Sequence, residues 1–140
     1  MNIKIFYDNV KYRLRDSRRI LKMIRKVIMN ENKDSGDLNF IFTNDEALLK
    51  INRKFLKHNY FTDVIAFEYN TGNIIIGEIY MSFDTIKRNA HNYNVSLKSE
   101  IIRVMIHGTL HLCGYNDRTK DEKNIMTELE NKWIKEYSKT

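Results

Sequence analysis

An α+β fold, one mixed sheet of about four strands packed with about five helices, is what this sequence predicts, and three observations predict it. Segments of period-two alternation are interleaved with segments of helical period. A turn signal, "NTGN", joins two strand-like runs into a hairpin. The second half of the chain is rich in helix, which places the helices against a single small sheet.

The elements follow in order. "NIKIFY" alternates Ile3, Ile5 and Tyr7 with polar neighbours and reads as a half-buried strand. From about Asp16 to Asn32, Ile20, Leu21, Ile24, Val27 and Ile28 recur at three and four, the stripe of an amphipathic helix. Its other face carries Arg18, Arg19, Lys22, Arg25 and Lys26, either a solvated surface or a track for RNA phosphates. "NKDSGD" is turn chemistry and should end this helix. Leu38 to Thr43 is a second strand, rich in aromatic and β-branched residues. "TNDEALLKINRKFL" opens with N-cap candidates and acids, and Ala47, Leu48, Ile51 and Phe55 form its inward stripe. "KHNYF" is a polar loop, "TDVIAFEY" a third strand and "IIIGEIYMS" a fourth. "FDTIKRNAHNY", Ser96 to Cys113 and Asp121 to Tyr137 complete the helices. Ile125, Met126, Leu129, Trp133 and Tyr137 give the last of these a core-facing stripe.

The 140 residues suit one domain, 1–140, with one core. No apolar run approaches the ~20 residues of a membrane helix, and the N-terminus lacks the apolar core and cleavage site of a signal peptide. A cytoplasmic protein with no membrane partner is expected. The single cysteine, Cys113, cannot form an internal disulfide, in keeping with a reducing compartment. A net charge of +6 makes a polyanionic partner plausible.

The chemistry concentrates in "VMIHGTLHLCGYNDRTKDE", Val104 to Glu122. His107 and His111, four apart on a helix, lie on one face and can aim imidazole nitrogens at one ion. A third ligand needs chain that has reversed. Gly114 stands where a helix ends in a left-handed residue, and Asp117 can then fold back. The pattern H-x-x-x-H-x-x-G-x-x-D has the form of the long zinc-protease signature with Asp for the last His. Three protein ligands would leave a fourth position for water, the arrangement of a catalytic zinc site. A non-haem Fe(II) triad uses the same ligand types, but usually from strands. Position 108 is Gly, so the Glu of H-E-x-x-H is absent and peptide hydrolysis loses its general base. No catalytic side chain is assigned beyond the water such an ion would hold. Cys113, two residues from His111, should face away and act as a small hydrophobe.

"HGTLHLCGYND" also resembles the H-G-x-L-H-L-x-G-Y-D-H signature of the YbeY family, bacterial rRNA maturation factors described as single-strand-specific endoribonucleases. "INRKFLKHNYFTDVIAF" is similar to that family's L-N-x-x-Y-R-x-x-D-x-P-T-D-V-L-S-F block, and "IGEIYMS" to its L-G-D-I-x-I-S strand. The Met126 and Glu130 region resembles the helix after the signature. The resemblance implies a hydrolase using one zinc ion, acting on single-stranded RNA in 16S rRNA 3′-end maturation and ribosome quality control. The small ribosomal subunit and ribosome-assembly proteins are the implied partners. His107 and His111 match the first two metal histidines, and Asp117 stands where the third belongs. Asn116 stands for the usual Asp and Phe61 for the proline. Leu56 replaces an arginine thought to contact RNA, so Arg53, Lys57 and His58 are candidates to supply that charge. Thr62 and Asp63 match the family's T-D pair, with strand-start capping as the simpler role.

Two rival readings remain at this level. One is a metalloprotease-like hydrolase, favoured by the His pair and opposed by Gly108. The other is a noncatalytic ribosome-assembly factor with a structural metal, favoured by Asp117 and Leu56.

Overall fold

The computed structural model describes residues 2–58 and 60–139. Its elements are β1 (Ile3–Tyr7), α1 (Ser17–Asn30), β2 (Asp34–Thr43), α2 (Asp45–Leu56), β3 (Val64–Glu68), β4 (Ile74–Ser82), α3 (Phe83–Asn92), α4 (Leu97–Leu112) and α5 (Lys120–Ser138). The four strands form one mixed sheet in the order β1-β2-β4-β3. β1, β2 and β4 run parallel, and β3 returns antiparallel beside β4 through the expected hairpin.

Alternation sets the face of the sheet that is covered. Leu38, Phe40 and Phe42 of β2 and Ile75, Ile79 and Met81 of β4 are buried on one side. The α1 stripe of Ile20, Ile24, Val27 and Ile28 is fully buried with them. Each such side chain stabilises the fold by about 1.5–3 kcal/mol relative to exposure. α4 is apolar almost all round, and it packs against the sheet, α1, α3 and α5 together. It is the buried axis of the molecule, and it carries the histidine pair.

Gly108 explains how closely that axis approaches the sheet. A Cβ there would stand 2.8 Å from Ile79 Cγ2. A glutamate at this position would collide with β4, so glycine here is a packing requirement.

Three expectations are corrected. "NKDSGD" is not a turn throughout: β2 begins at Asp34, which pairs with Ile74, and the ladder shifts register between Ser35 and Leu38. Pairing to β4 outweighs local turn preference. In α2, Phe55 is 59% exposed, and Asn52 is buried in its place. The Asn52 amide donates to the Tyr60 carbonyl at 2.9 Å, while Phe55 lies edge-on to Phe67 at 5.7 Å. In α5, Ile125 is exposed and the buried set is Met126, Glu130, Trp133 and Tyr137.

α2 is fastened to α3 by one carboxylate. Asp45 accepts hydrogen bonds from Ser82 Oγ, from Thr85 Oγ1 at 2.6 Å and from Arg88 Nη2 at 2.8 Å. Burial alone would raise its pKa, but these three donors prevail and hold it below the usual carboxylate value. The stability this contributes is complete above the unfolded carboxylate pKa of about 3.9 and disappears as pH falls through the lower folded value. Asp45→Ala should cost about 1–3 kcal/mol at pH 7, because it removes the carboxylate that accepts from Ser82, Thr85 and Arg88. Denaturant titrations at pH 7 and pH 3 check this; a penalty as large at the acid end would contradict the linkage.

Candidate metal centre

The site is built at the end of α4. Two hydrogen bonds close the helix, Gly114 N–H to the His111 carbonyl at 3.0 Å and Tyr115 N–H to the Leu110 carbonyl at 3.0 Å. This is a Schellman ending, and it needs a left-handed residue after the cap. Gly114 supplies it at φ 108°. Nothing would touch a Cβ there, so backbone conformation and not space selects glycine. The reversed chain brings Asp117 back over the helix before the capping box of Thr119 and Glu122 opens α5.

His107, His111 and Asp117 converge as the sequence predicts. His107 Nε2 lies 3.0 Å from His111 Nε2 and 3.2 Å from Asp117 Oδ2, and His111 Nε2 lies 3.5 Å from the same oxygen. The far nitrogens are both occupied. His111 Nδ1 lies 2.9 Å from the Tyr115 carbonyl, which can only accept, so Nδ1 carries the proton. His107 Nδ1 lies 2.7 Å from Glu130 Oε2. In the neutral rings both Nε2 atoms then present lone pairs to each other and to a carboxylate. Three acceptors facing one point repel unless a cation or a proton sits among them. In a tetrahedral zinc site with bonds of about 2.0–2.1 Å, ligand atoms stand roughly 3.3 Å apart. The three observed separations bracket that value, so this donor set fits the ion.

Glu130 is the functional residue that sequence reasoning did not single out for a role. Its side chain is 8% exposed. One oxygen receives His107 Nδ1 and the other accepts from Arg103 Nη1 at 2.9 Å, while Arg103 Nη2 reaches Asn131 Oδ1 at 2.6 Å. Burial disfavours charge on His107, yet the Glu130 hydrogen bond, with the charges of Glu130, Asp117 and Asp63, raises its pKa. Without an ion, a proton on His107 relieves the repulsion among the three donors. Asp63 is pushed upward, chiefly by burial and against the pull of His107.

The three donors open into a cavity of about 570 Å³. Asn52, Leu56, His58, Tyr60, Asp63 and Arg118 are among its walls. His58 stacks on Tyr60, with ring centroids 5.1 Å apart. Of the three residues considered for RNA contact, His58 lines the cavity, whereas Arg53 and Lys57 are exposed and not part of its wall. Arg118 is a lining cation that the motif reading passed over, although it directly follows Asp117. Cys113 is not among the converging donors. Its thiol is pushed up to about 11, first by burial and then by the charge of Glu31. Thr62 Oγ1 donates to the Val64 carbonyl, two residues on, at 3.5 Å.

Fold and site together define a small α+β protein with a hydrolase-type centre, two helical histidines and a carboxylate facing an open cleft. The chain belongs to the family described as endoribonuclease YbeY, whose model matches residues 5–138. It is 38% identical over 130 residues to the endoribonuclease YbeY of Flavobacterium psychrophilum, covering 93% of each chain. To that of Parabacteroides distasonis it is 43% identical over 109 residues, covering 78% of this chain and 77% of the relative. The solution structure of TM1509 from Thermotoga maritima matches with a TM-score of 0.66 at 25% identity, covering 96% of this chain and 88% of that one.

Proposed function

We propose that this chain is a zinc-dependent, single-strand-specific endoribonuclease acting in 16S rRNA 3′-end maturation and ribosome quality control, in the cytoplasm and on the small ribosomal subunit. The observation that carries the chemistry is the convergence of His107 Nε2, His111 Nε2 and Asp117 Oδ2 with both back nitrogens already hydrogen-bonded. Family membership supports RNA as the substrate.

His107, His111 and Asp117 would hold a zinc ion, which would supply Lewis acidity and a nucleophilic water at neutral pH. The chain's own groups do the rest. Glu130 and the Tyr115 carbonyl hold the two imidazoles in the tautomer that leaves Nε2 free. Arg118 on the cavity wall can pair with a backbone phosphate and offset charge that develops during cleavage. The His58–Tyr60 stack offers a flat face to a base, worth about 1–3 kcal/mol per stacked base. A base can use that face only when it is free of a complementary strand, which accounts for single-strand preference. Gly108 weighs against peptide hydrolysis, since its contact with Ile79 leaves no room for the glutamate of that chemistry.

Purified protein should cut a single-stranded 16S 3′-end RNA, but neither its duplex nor casein. EDTA should stop the reaction and added zinc restore it. Product ends then choose the nucleophile: a 2′,3′-cyclic phosphate marks attack by the RNA 2′-hydroxyl. Casein cleavage without RNA cleavage, or RNA cleavage that survives EDTA, would overturn the assignment.

Arg118→Ala should raise KM for RNA about tenfold, the loss of one charge-assisted phosphate contact. Arg53→Ala and Lys57→Ala should have smaller effects, because neither lines the cavity. If all three change KM less than twofold, phosphate recognition in the cleft does not depend on these cations.

A further inference from the structure

The positive charge of the chain is not spread over it. From Lys11 to Lys26 stand eight basic residues and one acid, Asp16; the rest of the chain holds 16 basic and 17 acidic residues. The net charge of +6 therefore originates in this one stretch. Most of it is the outer face of α1, where Arg18, Lys22, Arg25 and Lys26 are exposed. α1 contains no acid, and the adjacent Asp16 is engaged by Lys98 at 2.6 Å. Among the described residues, none of those four cations enters an ion pair. Like charges at i,i+4, as in Arg18–Lys22 and Lys22–Lys26, each cost a helix about 0.2–0.5 kcal/mol.

Beside this face, between α1 and α5, lies a second cavity of about 260 Å³ that shares no lining residue with the metal cleft. Lys22 and Lys26 form its basic side, Met23 and Trp133 its apolar side. Arg19 is already committed: it donates to the Tyr137 carbonyl at 2.8 Å and lies over the Tyr137 ring, bracing the wall. Trp133 is largely buried, 8% exposed, and contributes to the cavity wall. Glu136, the one acid among the cavity's described lining residues, can accept from an amino group. A ligand with phosphates for the lysines, a flat ring for the apolar wall and an amino group for Glu136 matches every side. A strand of nucleotides has all of these.

We propose that the outer face of α1 and the α1–α5 cavity form a second binding site for single-stranded RNA, remote from the metal centre. Arg18, Lys22, Arg25 and Lys26 track the phosphates, and one base enters the cavity against Trp133. The identity of the polyanion rests on the RNA reading above. Such a site raises the affinity for long transcripts over short ones, because each site holds the strand at high local concentration for the other.

Trp133 is the only tryptophan in the chain, so its fluorescence reports occupancy of the cavity directly. The probe is a single-stranded RNA of about 20 nucleotides, longer than one single-strand site, bound in EDTA so that none is consumed. Binding should change the Trp133 emission. Lys22→Gln/Arg25→Gln/Lys26→Gln should weaken binding at least ~10-fold and lower the slope of log affinity against log salt by about 2, near 0.7 per cation. Lys4→Gln/Lys50→Gln/Lys87→Gln, which removes the same charge from other exposed positions, should stay within about twofold. Arg18→Gln/Arg25→Gln lies outside the cavity wall and gives an independent, smaller loss; thermal melting confirms that each variant is folded. Equal losses in both triple variants, an unchanged emission, or the same response to polyglutamate would overturn the site. The outcomes also separate it from the nuclease assignment. Cleavage without α1-dependent binding overturns this site alone, and α1-dependent binding without cleavage overturns the nuclease alone.

Discussion

Alanine at His111 will remove both the metal and RNA cleavage, the latter by at least ~10³-fold, while leaving the fold intact. Two donors remain after the change, His107 and Asp117. Neither a single imidazole nor a single carboxylate replaces the missing corner of a tetrahedral set, so the proposed reaction would lose its Lewis acid. The stability cost is small because the His111 ring faces the cleft, and the helix ending it caps is made by backbone groups of Leu110, Gly114 and Tyr115. Elemental analysis should find zinc in the wild-type protein and none in His111→Ala. Asp117→Ala should behave alike, whereas Asp117→His restores a three-histidine set and should keep the ion. His91, exposed on α3, serves as the control: its alanine variant should keep full metal content. Full zinc occupancy in both His111→Ala and Asp117→Ala would mean that the ion binds elsewhere.

Glu130→Gln will weaken zinc binding about 10–100-fold although Glu130 is not one of the three converging donors. The carboxylate orients His107 through Nδ1 and makes its Nε2 a stronger donor. An amide keeps the shape and gives up the charge. It also leaves Arg103, which spends one arm on Glu130, facing a neutral group. Glu130→Ala goes further and should cost about 2–4 kcal/mol of stability, or roughly 10 °C in Tm, since a largely buried ion pair loses one member. Competition titration with a zinc chelator and thermal melting separate these effects. The positioning role predicts a loss of affinity in Glu130→Gln even where Tm barely moves. Zinc affinity within about threefold of wild type in Glu130→Gln would show that Glu130 is only structural.

Glu130 also shows where reading along the chain stops. His107, His111, Gly114 and Asp117 span eleven residues, and their geometry is local: an i,i+4 pair, a helix ending and a turn. Helical period and the conformational preference of glycine are enough to bring them together. Glu130 lies on a different helix, 23 residues from His107. Its approach depends on how α5 packs against α4, and no spacing rule encodes that. Arg118 was hidden for another reason. Nothing in its type or position separates it from other surface cations until the cleft exists around it.

The same division runs through the fold. α1 was legible because its stripe faces one continuous core, so period and burial agree at Ile20, Ile24, Val27 and Ile28. α2 was misread because it rests against the β3–β4 edge, and there the loop after it needs a donor more than the core needs another ring. Asn52 turns inward to hold the Tyr60 carbonyl, and Phe55 is displaced onto Phe67. β2 extends back to Asp34 because β4 offers ladder partners that outweigh turn-forming residues.

By itself the sequence determined the class of fold, the convergence of His107, His111 and Asp117 and the turn that closes it, because each depends on forces acting within a few residues. Only the tertiary structure decided what those ligands are braced by, what lines the cleft they open into, and that the basic face of α1 borders a cavity floored by Trp133. Those features arise where helices distant in sequence pack together, and packing depends on the shapes of both surfaces at once.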